Sequence, residues 1–125
     1  MRIIKITNQS RPGAKLILAK YCKSFFCQLR GLMFTASLPE NYGLLLVQGS
    51  ESRFNASIHM MFMRMDLAVF WMDKANTVVD RVLARQWKVM YAPQKPAQYV
   101  LETGVENLET FYIGDKVSFE ETQAE

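Results

Sequence analysis

The chain has 125 residues, half of them hydrophobic, which suits one domain with a real core and excludes an intrinsically disordered chain. No apolar run approaches the roughly 20 residues of a membrane-crossing helix, and the opening MRIIKITNQSRPG lacks the sustained apolar core of a secretory signal, so a cytoplasmic protein without a membrane partner is expected. The net charge of +3 is uneven, residues 1–64 carrying nine Lys/Arg and two Asp/Glu and residues 65–125 carrying six and ten, but the basic residues are spread singly and no nucleic-acid partner is expected.

In chain order, Arg2 to Thr7 alternates and reads as a strand, Asn8 to Gly13 as a turn around Pro12-Gly13, and Lys15 to Ala19 as the returning strand of a hairpin. The period then changes. Phe25, Phe26, Leu29, Leu32 and Met33 fall at helical spacing behind Ser24, a good N-cap, with Gly31 at the helix end. Cys22 and Cys27 fit neither a CxxC motif nor a zinc-ligand spacing, and they read as two reduced thiols. Leu38 to Asn41 is a loop. Leu44 to Val47 is a short buried strand, and Gln48 to Ala56 a polar, flexible arm.

Ser57 to Asp73 is the longest stretch dense in Met, Phe, Val and Trp, and it holds the only histidine, His59. As a pleated strand it would place His59, Met61, Met63 and Met65 on one face. Thioethers beside a histidine suit copper(I). On a strand, however, those four would spread over roughly 20 Å, so the methionines read as core and no metal or cofactor is expected. Val69 to Asp73 and Thr77 to Leu83 pair across a turn at Asp73 to Asn76. A proline-bearing loop follows, then a strand over Gln98 to Thr103, a short helix over Gly104 to Thr110 and a last strand over Val117 to Phe119. The fold class is mainly β: a compact sandwich or barrel-like single domain over residues 1–119 with one or two short helices, and a polar tail at 120–125.

Several motifs, taken in order, resemble a known family. They are Leu29-Arg30-Gly31-Leu32-Met33-Phe34, Leu38-Pro39-Glu40, Gly43-Leu44-Leu45-Leu46, Ser57-Ile58-His59-Met60-Met61-Phe62-Met63-Arg64, Tyr99-Val100-Leu101-Glu102 and Gly114-Asp115. Their order and spacing look like the bacterial and archaeal domain of unknown function 192 (uncharacterised protein family 127). The resemblance implies a compact, mostly β domain with a helix carrying the RGLM segment, and it implies no activity. Where the family runs Phe-Pro-Ile-Asp after its FMR motif, this chain has Met65, Asp66, Leu67 and Ala68, so the proline and the aspartate are both replaced. Gln48–Ala56 is also longer than in the family.

The polar residues of these motifs are Arg30, His59, Arg64, Glu102 and Asp115. Two guanidinium groups with an acid and a base suit a binding module for a small anionic or sugar-like ligand, or for a protein partner, working as a monomer or weak dimer. A hydrolase-type enzyme is the alternative, with His59 as general base oriented by Glu102. A third reading is a structural or interaction protein using an exposed apolar surface around Trp87 and Tyr91. The plainer account makes Arg30–Glu102 a structural ion pair, Asp115 a turn residue and His59 a histidine bonded to a carbonyl. No nucleophile–base pair is visible, since Ser57 and His59 would lie about 6.8 Å apart on a strand.

Overall fold

In the computed structural model, which describes residues 2–122, seven strands form one mixed sheet. The strands are β1 (Ile3–Asn8), β2 (Ile17–Cys22), β3 (Tyr42–Ser52), β4 (Leu67–Met72), β5 (Val78–Ala84), β6 (Ala97–Gly104) and β7 (Val117–Thr122). Their spatial order is β5-β4-β6-β3-β2-β1-β7, antiparallel except for the parallel β2–β3 pair. One α-helix, α1 (Phe25–Arg30), links β2 to the loop before β3, and a 3-10 turn over Val105–Thr110 follows β6. Among the described residues no helix is long and apolar enough to cross a membrane.

The sheet curls. The segment leading into β7 meets the β4–β5 turn, with Val78 N donating to Asp115 O at 2.9 Å and Val117 N to Asn76 O at 2.9 Å. The two edges therefore approach each other at one end, which gives the barrel-like form. Period-two alternation sorts the side chains onto two faces. Ile4 and Ile6 of β1, Phe70 of β4 and Leu101 of β6 fill the inner face, which Phe111 closes. Leu44, Leu46, Leu67, Val69, Trp71 and Val100 point the other way, onto a second core completed by Met60 and Met63. Both faces of β4 are thus covered, and all six of its residues are buried.

Four expectations need correction. Residues 57–65 are not a strand. They fold as turns over the second face, with one isolated β-bridge, Ile58 to Tyr91, and further backbone bonds to Phe34, Trp87 and Lys88. Both sides of β4 are already taken by β5 and β6, so this stretch has no ladder to join. A chain reversal at Phe62 (φ 61°) sends Met60 and Met63 inward together. The Gln48 arm is β-strand as far as Ser52. Residues 120–122 of the polar tail continue β7, with Lys5 opposite Glu120; residues 123–125 lie outside the described residues.

The fourth correction concerns the thiols: Cys22 and Cys27 form a disulfide, their Cα atoms 5.7 Å apart. The chain turns at Ser24, whose Oγ accepts from Cys27 N at 3.1 Å, and this brings Cys27 back over the end of β2. Reduction, or Cys22→Ser with Cys27→Ser, is expected to cost about 2 kcal/mol, the loop-closure value for so short a ring. Urea unfolding with and without dithiothreitol measures it, and an unchanged midpoint would contradict it.

Candidate functional site

The second face carries the family motifs. α1 is capped by Ser24 and ends at Gly31 (φ 49°), a backbone state that glycine adopts readily. A Cβ on Gly31 would stand 3.5 Å from Glu102 Oε1, so the chain passes close over that carboxylate. Glu102 lies on β6 between Leu44 of β3 and Val69 of β4, in the middle of the sheet. It is 5% exposed and, among the described residues, has no ion pair. Burial pushes its pKa up to about 7.

Glu102 borders a cavity of about 60 Å³ together with Arg30, Gly31, His59 and Met63. The space suits one or two waters, not a sugar. Both nitrogens of His59 are occupied. Nδ1 accepts from Met61 N at 3.2 Å, so Nε2 carries the proton and donates to Leu29 O at 2.9 Å. His59 thereby ties the 57–65 turns to α1, and Glu102 does not orient it. The Arg30–Glu102 ion pair is also not formed: Arg30 is exposed and, among the described residues, bonds no carboxylate.

Arg64 opens onto a different and larger cleft of about 540 Å³, where Ser37, Asp66, Gln86 and Glu106 supply the other polar groups. Asp66, which replaces the family's proline, is held by Gln86 N at 2.9 Å and Arg85 Nη1 at 3.4 Å. It does not stand in for the family aspartate, whose position, Ala68, is fully buried on the inner face. Asp115 is remote from all of these. On the inner-face side of the sheet it accepts from Asn8 Nδ2 at 2.8 Å and Tyr112 N at 2.9 Å and pairs with Arg11 at 3.3 Å, fixing the turn into β7.

The five motif residues therefore divide. Arg30, His59 and Glu102 share the small cavity, Arg64 faces the neighbouring cleft, and Asp115 stands apart. Ser37, Gln86 and Glu106 had no signal in the sequence, because each lies in a loop, turn or 3-10 segment outside the motifs.

The profile of the DUF192 family, described as Uncharacterized ACR, matches residues 5–119. A UPF0127 protein of Thermococcus kodakarensis is 37% identical over 120 residues, which cover 94% of this chain and 74% of that protein. One from Thermococcus sibiricus is 41% identical over 103 residues, 81% of this chain but only 65% of its own length. Among solved structures, a proposed transcription regulator of Sinorhizobium meliloti superposes with a TM-score of 0.81 at 16% identity, covering 95% of this chain and 94% of that one. A protein of unknown function from Novosphingobium aromaticivorans gives 0.74 at 17% identity, covering 93% and 83%. At such identities these two likenesses speak to the fold alone.

Proposed function

We infer, for a chain that belongs to the DUF192 family, that it acts as a small non-enzymatic binding module whose ligand is sugar-like and carries one acidic group. The observation that carries this reading is the Arg64 guanidinium, exposed and without an ion pair among the described residues, on a cleft of about 540 Å³. That volume falls in the range of small-molecule sites. Arg64 suits a carboxylate or phosphate. The carboxylates of Asp66 and Glu106 accept from hydroxyls, Ser37 and Gln86 donate and accept, and Met65 and Val105 offer apolar surface to a ring.

The hydrolase alternative draws less support, because the two groups it needs are not coupled. The ring of His59 is held by Leu29 and Met61, and Glu102 sits behind a cavity too small for a sugar.

Calorimetric titration with glucuronate, glucose and inorganic phosphate tests the binding reading. Glucuronate should bind best. Arg64→Ala should weaken it by about tenfold or more, the value of a charge-assisted contact, while stability stays within about 0.5 kcal/mol of the parent. Equal binding by Arg64→Ala, or no heat with the sugar acid, would overturn the reading.

A further inference from the structure

Segments 23–35, 53–65 and 85–95 together cover the second face of the sheet, and backbone bonds lace them into one layer. Phe34 N donates to Phe62 O at 3.0 Å, Trp87 N to Met60 O at 2.7 Å and Tyr91 N to Ile58 O at 2.9 Å. His59 adds its bond to Leu29 O.

The outer side of this layer is unusual in two independent respects. Of thirteen exposed large hydrophobic residues among the described residues, nine lie on these three segments. The same segments contain seven Lys/Arg and no Asp/Glu. Only one of the seven bases, Arg85, forms an ion pair among the described residues.

The apolar groups are presented rather than left loose. Phe25 and Phe26, 80% and 79% exposed, sit inside the Cys22–Cys27 ring at the start of a helix that buries none of its residues. Phe34, Phe62 and Trp87 pack ring to ring, with centroids 5.7 and 5.1 Å apart. All three have positive φ (66°, 61° and 69°), a state bulky residues rarely adopt. An exposed cluster held in such a conformation is a candidate for function.

We propose that this face docks on an anionic lipid bilayer, with Phe25, Phe26 and the Phe34–Phe62–Trp87 cluster entering the interfacial region and the basic residues meeting the lipid phosphates. Charge chooses the sign of the partner. A second copy of the chain would set seven bases against seven. A folded protein partner would need a matched pocket for each wedge projecting from three separate segments, Phe54 (80% exposed) included, whereas a fluid bilayer yields wherever a wedge enters. Stacking with single-stranded nucleic acid is disfavoured by the tilts of 36° and 60° between the rings, which offer no set of parallel faces. Among the described residues no helix is long and apolar enough to cross a bilayer, and the contact proposed is with its surface. The proposal goes beyond the ligand reading and stands without Arg64, since the other six bases lie outside its cleft.

The test is co-sedimentation with vesicles of phosphatidylcholine, alone or mixed with phosphatidylglycerol, together with tryptophan fluorescence. Trp87 is 53% exposed and Trp71 only 1%, so a blue shift and protection from acrylamide on binding report Trp87. Binding should require the anionic lipid, weaken with salt and show that shift. Phe25→Ser with Phe26→Ser should weaken it by about tenfold or more while leaving the melting temperature unchanged, since both rings stand in water. Trp87→Phe should still bind but lose the shift. No binding to the anionic vesicles, undiminished binding by the double serine variant, or the same shift with soluble polyglutamate would overturn the proposal, the last by making an acidic polypeptide the occupant.

Discussion

Glu102→Gln is expected to leave the free energy of unfolding almost unchanged near pH 4 and to raise it by about 3 kcal/mol near pH 8.5. In the unfolded chain this carboxyl releases its proton near its ordinary value of 4.5; in the folded protein burial holds the proton until about pH 7. Between those two values the folded state binds the extra proton. The parent protein therefore loses stability as pH rises through that window, and the loss is complete above it. This is the reverse of the usual carboxylate, which stabilises when ionised. A glutamine fills the same space without a charge to desolvate, so its stability should not fall across the window on this account. Urea denaturation of both proteins at a series of pH values measures the difference. Parallel curves would mean that the Glu102 carboxylate finds compensation at high pH, from Arg30 swinging over Gly31 or from water in the small cavity beside it.

Trp71→Ala should cost about 3–5 kcal/mol, enough to threaten the fold of a domain this size. Trp71 is 1% exposed in the second core, and its indole N–H donates to Ala56 O at 2.8 Å. Alanine there opens a large void and leaves that buried carbonyl without its donor. Trp71→Phe keeps most of the volume and loses mainly the hydrogen bond, so it should cost less than half as much. The two variants share one consequence. Ala56 anchors the segment that carries His59 and Arg64, so amide exchange across residues 56–65 should quicken in Trp71→Phe before exchange in β4 or β6 does. Denaturation midpoints and exchange rates check both statements, and a cost below about 1 kcal/mol for Trp71→Ala would mean that the covering layer repacks.

The mainly β class, both hairpins and α1 were legible because each rests on local chemistry. Alternation in Ile3–Asn8, the Pro12-Gly13 turn and the Asp73–Asn76 turn act within a few residues, as do the Ser24 cap and the Gly31 stop. What escaped depends on partners far along the chain. An apolar run such as Ser57–Met65 looks the same whether it enters a sheet or lies across one, and only the neighbours of β4 decide. The disulfide escaped because four intervening residues say nothing until the chain turns at Ser24. For the candidate site, the family motifs pointed to Arg30, His59 and Glu102, which line one small cavity without bonding one another, but motif membership could not show that Asp115 faces the opposite side of the sheet or that Glu106 and Gln86 line the cleft with Arg64.

The pairing of β1 with β7 also has a consequence for synthesis on the ribosome. Ile3 lies opposite Thr122, so the first strand of this sheet to be made waits for the last strand of the same sheet. Until more than a hundred further residues have emerged, the outer edge of β1 offers unpaired N–H and C=O groups beside Ile4 and Ile6. The nascent chain therefore passes through a stage in which an apolar hairpin has one open rim, and charged Lys5, midway along that rim, is its built-in guard against pairing with a neighbouring chain.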